Sequence, residues 1–226
     1  VVVVQNALAF LIVWELMSFS SFFLVSFEHE SPQVRRAGLY YLVAMQVGAA
    51  FLVAAFAWMH QAVSSLDFAD FGAVVPTSGM VLFLLFFVGF GTKAGFIPLH
   101  SWLPLAHPAA PSPVSAMMSG VMIKTGIYGI LRMVMVLPPQ GMVMAYAVLL
   151  VSLFTGLYGI MNALVQSDMK KMLAYSSIEN IGIIGMGIGM AMLGRCYQMP
   201  GLIIAGYGAA LLHLLNHFLF KSLLFW

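Results

Sequence analysis

The chain has 226 residues, 62% of them hydrophobic and 7% charged, with nine Lys or Arg against seven Asp or Glu and a net charge of +2; its mean hydropathy is +1.02. Soluble domains carry about 25% charged residues, so this composition excludes a water-soluble globular domain and a disordered chain, and the small net charge excludes nucleic-acid binding. One cysteine, Cys196, rules out an internal disulfide framework and a cysteine-held metal cluster.

What remains is an all-α polytopic membrane protein. Crossing a bilayer takes about 20 apolar residues per helix, and runs of that order fall at 5–27, 37–59, 78–101, 114–136, 143–165, 172–192 and 201–226. The alternating segments of a membrane β-barrel are absent from the sequence. Seven transmembrane helices are predicted, forming one domain over 1–226. Ser31-Pro32, Pro76-Thr77-Ser78, the stretch from Pro104 to Pro113, Pro138-Pro139 and Pro200-Gly201 punctuate them. Val1 to Val4 and Trp226 lie inside apolar runs, so the chain is expected to be part of a longer protein, and no targeting signal is legible.

In chain order, the first run holds Glu15 almost at its centre. Arg35 and Arg36 precede the second run, and the loop after it has Asp67 and Asp70 without Lys or Arg. The third run carries Lys93 within Gly91-Thr92-Lys93-Ala94-Gly95, followed by Pro98. Glycine allows close helix approach and proline removes a backbone hydrogen bond, so an interrupted helix is predicted at Gly95 and Pro98, with a lysine beside the break. Lys124 sits near the centre of the fourth run, and Lys170 and Lys171 precede the sixth. The sixth holds Glu179, a relay member or a partner for a lysine, and Gly182, Gly185 and Gly189, which suit close packing. The last run carries His213, His217 and Lys221 at i, i+4, i+8, one helical face with steps of about 6 Å.

Each ionisable residue at a helix centre costs roughly 2.5–3.5 kcal/mol to insert, so five within spans point to function. Imidazole accepts a proton at one nitrogen while releasing one from the other, which suits the His-His-Lys stripe to proton passage. The same stripe could instead hydrogen-bond backbone. A metal or haem would need ligands from a second His-rich helix, and none is visible in the sequence, so no metal or cofactor is expected. Glu15 beside Lys93, with Lys124 near, would make a set whose proton affinity geometry can switch. The methionines read as apolar lining, and His100, His107 and Glu28-His29-Glu30 as interfacial. Loop charges place Arg35, Arg36, Lys170 and Lys171 on the cytoplasmic side, with Arg132 and Arg195 opposite.

Five ordered motifs resemble the antiporter-like membrane subunits of respiratory complex I and the membrane-bound nickel–iron hydrogenases. They are Trp14-Glu15-Leu16-Met17-Ser18; the run from Phe90 to Ala116; Ile123-Lys124-Thr125-Gly126 with Tyr128-Gly129; Asp168 to Ser177; and His217 to Phe225. Glu179-Asn180-Ile181-Gly182 and His213 to His217 lean toward the formate hydrogenlyase type. The resemblance implies about seven helices of a roughly fourteen-helix fold built from two inverted repeats. Residues 1–136 would end the first repeat, and residues 137–226 would begin the second. It also implies a proton site at Glu15 and Lys93, a bridging Lys124, and a relay through His213, His217 and Lys221. The implied protein is a non-catalytic subunit of the inner, cytoplasmic membrane. Its partners would be other membrane subunits, the lipid bilayer and a peripheral redox arm, and its ion H⁺ or Na⁺. A multisubunit cation/proton antiporter and a non-transporting scaffold are the competing readings.

Overall fold

A computed structural model describes residues 1–73, 76–137 and 141–226, with side chains for all of these except 73 and 76–78. Helix α1 (Ala7–Val25) opens at Asn6, whose side chain accepts from the Leu8 and Ala9 amides that a helix start leaves open. Asn6 also donates to Asp67 at 2.8 Å, fastening α1 to the loop before α3. Helix α2 (Pro32–Val63) starts on Pro32, whose missing amide costs nothing in a first turn, and stops where Ser64 adopts a φ of 55°. A 3₁₀ turn (Phe68–Ala73) leads into α3 (Pro76–Ala94).

The short helices α4 (Leu103–Ala109) and α5 (Ser112–Met117) follow. A π turn (Met118–Met122) joins α5 to α6 (Ile123–Val136), and these three form one rod from Ser112 to Val136. Then come α7 (Gly141–Leu164), α8 (Met169–Cys196), capped by the Asp168 carboxylate on the Lys171 amide, and α9 (Pro200–Leu224).

Six described helices are long and apolar enough to cross a membrane: α1, α2, the Ser112–Val136 rod, α7, α8 and α9. The apolar run expected at 78–101 does not continue as one helix. Its apolar part, Gly79–Ala94, is shorter, because Gly95 takes a φ of +91° that only glycine adopts without strain. Phe96 N turns back to Gly91 O at 3.1 Å, which leaves Thr92 O without its helical donor. Trp102 Nε1 supplies one at 2.8 Å, and Thr155 Oγ1 accepts from Ile97 N at 3.1 Å. Irregular backbone at membrane depth is tolerated when buried partners satisfy it in this way. The punctuating Pro138-Pro139 lies outside the described residues.

An aromatic core of Phe10, Trp14, Phe56, Phe68, Phe86 and Phe90 locks α1, α2 and α3 together around the 3₁₀ turn. Helices α7 and α8 meet by backbone: a Cβ at Gly182 would overlap the Gly156 nitrogen. Outward faces are apolar, with Leu8, Ile12, Leu16 and Phe23 exposed on α1 and Leu150, Phe154 and Met161 on α7. Such surfaces suit hydrocarbon, and the chain is a multi-pass membrane protein. Arg36 and Lys171 line one cavity of about 660 Å³ with Asp168 and Gln33, so the ends of α2 and α8 that carry them share one end of the bundle. Arg132 bonds Val4 O and Gln5 at the other end, and Arg195 bonds Val134 O there.

Candidate functional site

The ionisable residues inside the helices fall into two groups. The first surrounds Lys93, one residue before the end of α3 and 1% exposed. Its Nζ donates to Ser18 Oγ at 3.0 Å and to Tyr41 OH at 3.2 Å. The ammonium also lies 5.7 Å from the Trp14 ring centroid, within cation–π range, whereas it meets Tyr41 at the hydroxyl edge of the ring. Tyr41 OH is 2.6 Å from Ser21 Oγ, and Ser21 donates to Met17 O at 2.6 Å. Ser18 donates to Trp14 O at 3.0 Å.

Helix α1 explains why these residues converge. Its buried stripe runs Phe10, Trp14, Ser18, Ser21 and Val25, spaced by three or four residues, so the hydroxyls and Trp14 share the face toward α3. Glu15 is rotated about 100° from Trp14. Its carboxylate accepts from Gln46 Nε2 of α2 at 2.8 Å, and Oε1 is buried without a hydrogen-bond partner among the described residues. The expected Glu15–Lys93 pairing is therefore replaced: Gln46 holds the acid, and two hydroxyls hold the lysine. A polar residue on α2 and hydroxyls one turn along α1 reach these groups first.

The second group lies between the π turn, α8 and α9. Lys124 donates to Ser119 O, a carbonyl presented within the π turn. Ser119 Oγ is 2.8 Å from Ser177 Oγ; Ser177 donates to Leu173 O at 2.9 Å, and Lys221 Nζ donates to that carbonyl at 3.0 Å. Two lysines on different helices thus share one short run of oxygens. His213 Nε2 meets Asn180 Oδ1 at 2.8 Å. His217 is fully buried, and among the described residues neither of its ring nitrogens has a hydrogen-bond partner. The His213, His217 and Lys221 face is the one α9 turns toward α8, where Leu173 and Asn180 sit two turns apart. Glu179 is half-buried and accepts from Ser176 Oγ at 3.4 Å, with no lysine among its described hydrogen-bond partners.

Among the described residues the hydrogen bonds that join the two groups end on sulfur. Sulfur lies between them: Tyr41 OH points at Met122 Sδ (3.6 Å), and Thr125 Oγ1 points at Met17 Sδ (3.8 Å). Sequence reasoning missed Ser18, Tyr41, Gln46, Ser119, Ser177 and Asn180, which are ordinary helix residues until a neighbouring helix is in place. It also took His107 as interfacial. That ring is fully buried in α4, stacked on Phe225 at 4.7 Å, with both nitrogens unpartnered. Lying outside the spanning helices, the His107 imidazole is pushed down from 6.5 to about 3, first by burial and then by the charges of Lys221, Lys170 and Lys124. No group of three or more His, Cys, Asp or Glu that could hold a metal occurs among the described residues.

Known proteins share this arrangement of helices. The chain is 45% identical over 228 residues to hydrogenase-4 component B of Escherichia coli (strain K12), covering 99% of this chain and 34% of that protein. It is 34% identical over 226 residues to formate hydrogenlyase subunit 3 of the same organism, covering 99% and 36%. The chain spans about a third of the length of these relatives. A solved Mrp complex from Dietzia sp. DQ12-45-1b superposes with a TM-score of 0.85 over 98% of this chain and 40% of its own, at 23% identity, a likeness of fold. The family described as NADH:quinone oxidoreductase/Mrp antiporter, TM, matches residues 5–226, and the chain belongs to that family.

Proposed function

We propose that the chain is the proton-carrying part of a membrane subunit in a redox-driven complex of hydrogenase or NADH dehydrogenase type. The supporting observation is Lys93, buried beside the broken end of α3 and seated on side-chain oxygens inside an apolar bundle. A cation kept there at the insertion cost of a helix centre needs a use. On this reading Lys93 takes up a proton, Lys124 is the next station, and His213, His217 and Lys221 form the onward face, with Glu179 beside it. Glu15 gates the first step by competing for Lys93.

The finer layout belongs to the same proposal. Helix α3 and its broken end complete a seventh crossing, with Gly95 and Pro98 as the break. Residues 1–136 close a first inverted repeat and residues 137–226 open a second. The membrane is the cell's inner one, with the Arg35 and Lys170 ends cytoplasmic, as the excess of positive charge there favours. Energy comes from a peripheral redox arm through partner membrane subunits.

The test uses the full-length protein in its complex, in sealed vesicles, following proton uptake during turnover. Lys93→Ala is expected to abolish uptake while the complex still assembles. Uptake at the wild-type rate would remove the central residue and leave the chain a scaffold. Co-purification without any redox subunit, with uptake driven by a cation gradient, would make it a cation/proton antiporter subunit.

A further inference from the structure

Lys93 is held differently from Lys124 and Lys221, whose described partners are backbone carbonyls. Its two partners are hydroxyls, and both belong to a set that can reorient. With Lys93 as an ammonium, its N–H groups donate to Ser18 and Tyr41, while the Tyr41 hydrogen goes to Ser21 Oγ or to Met122 Sδ, and Ser21 donates to Met17 O. With Lys93 as a neutral amine, the Tyr41 hydrogen can turn to the nitrogen lone pair, and Ser21 can donate to Tyr41. The same seat therefore serves the lysine in either state. A carboxylate only accepts, so Glu15 serves only a lysine that donates. Glu15 stands three residues before Ser18 on α1, and its Oε1 is buried and unpartnered, open to a second donor.

We propose that Tyr41 is a positioning residue for the proton step at Lys93: with Ser18 and Ser21 it forms a second seat, alternative to Glu15, from which the lysine exchanges. This rests on the reading of Lys93 as a proton carrier. The lysine nitrogen leaves the hydroxyls for Glu15 Oε1 and returns, and Tyr41 gains and loses no proton overall. The Trp14 ring, with its centroid 5.7 Å from the nitrogen, helps make the hydroxyl seat a stable resting place for the charged form. The Tyr41 ring is itself fixed edge-on against Trp102, 5.2 Å between centroids, so the broken end of α3 and the seat move as one piece.

The experiment compares Tyr41→Phe, Ser18→Ala, Glu15→Gln, the Tyr41→Phe/Glu15→Gln double variant and Lys93→Ala. Each is read as the full-length protein in its complex, in sealed vesicles, for proton uptake per turnover over a pH series, with co-purified subunits as the assembly control. Phenylalanine keeps the ring against Trp102 and deletes one hydroxyl. Tyr41→Phe is expected to lower uptake about tenfold, the scale of one hydrogen bond to a charged group, and to change the shape of the pH profile. In the Glu15→Gln background the same change is expected to add less than about twofold, because alternation between seats is already lost. Wild-type uptake with an unaltered pH profile in Tyr41→Phe, or losses that simply multiply in the double variant, would overturn the inference. Should Tyr41→Phe fail to assemble, Ser18→Ala removes the other oxygen of the seat, and wild-type uptake there overturns it equally. Uptake persisting in Lys93→Ala sinks the carrier reading and this inference together; uptake lost in Lys93→Ala but intact in Tyr41→Phe sinks this one alone.

Discussion

The two lysine regions solve the problem of a buried cation in opposite ways. At Lys93 the partners are hydroxyls carried by α1 and α2, groups that rotate and can both donate and accept, beside the Trp14 ring. At Lys124 and Lys221 the hydrogen-bond partners are carbonyls of the π turn and of α8, acceptors fixed in the backbone, with the Phe220 ring 6.0 Å from Lys221 Nζ. The first arrangement accommodates a change in the lysine; the second docks an N–H and waits. The backbone irregularity differs as well. Around Lys93 the helix ends outright and Trp102 and Thr155 cover the exposed groups, whereas at Lys124 the helix continues through a π turn that presents the Ser119 carbonyl.

The sharpest break in this contrast is Trp102→Phe. It deletes the Nε1–H that satisfies Thr92 O and alters the ring that fixes Tyr41, while touching nothing in the second region. A buried carbonyl left without its donor costs about 2 kcal/mol. The chain spans about a third of its relatives' length, so thermal unfolding of the full-length protein in detergent is expected about 1–2 °C lower. An unchanged midpoint would mean that the broken end of α3 does not depend on this bond, and that the Lys93 seat is supported from elsewhere.

How much of this was legible follows from what each residue needs in order to be noticed. Glu15, Lys93, Lys124 and the His213 to Lys221 stripe stand out in apolar runs because charge is costly there. The end of α3 at Ala94 was signalled by Gly95 and Pro98, which mark a break inside the apolar run 78–101. Serine and tyrosine carry no such cost, so Ser18, Tyr41, Ser119 and Ser177 became meaningful only once α1 faced α3 and the π turn faced α8. The partner of Glu15 was misread because residue spacing fixes which face a side chain is on but not which neighbour arrives first. The π turn has no sequence signature, since Met118–Met122 reads as plain helix. His107 was hidden by its setting: a Pro-rich stretch between 104 and 113 looks like a surface loop, whereas α9 brings Phe225 over it.

An effect of similar size, confined to low pH, probes the second region from its outer end. His107 is buried with its pKa lowered from 6.5 to about 3, so the folded protein keeps it neutral while the unfolded chain binds a proton below pH 6.5. Its contribution to stability is whole above about pH 6.5 and is lost as pH falls toward about 3. At about pH 5 the loss is about 2 kcal/mol, roughly 1.36 kcal/mol for each unit below 6.5. Melting of the full-length protein should therefore drop between these two pH values in the wild type, and the drop should shrink in His107→Phe, which keeps the stacking on Phe225. An identical slope in the variant would assign the acid sensitivity to other groups.

The smallest expected effect is the most discriminating between the two kinds of seat. Ser177→Ala removes the hydroxyl that meets Ser119 Oγ but leaves both carbonyl docks, Ser119 O for Lys124 and Leu173 O for Lys221. If those lysines are held by carbonyls alone, the cost is the hydroxyl's two neutral hydrogen bonds, with Ser119 Oγ and to Leu173 O, about 1–2 kcal/mol. That loss should add to that of Trp102→Phe, because the two sites share no partner. Proton uptake in vesicles should stay within about twofold of wild type, less than 0.5 kcal/mol in barrier. A fall of about tenfold in uptake with the same small loss of stability would mean that the Ser119–Ser177 hydroxyl pair carries protons between the lysines. The second region would then also work through rotatable hydroxyls, and the distinction between an adaptable seat at Lys93 and fixed docks at Lys124 and Lys221 would no longer hold.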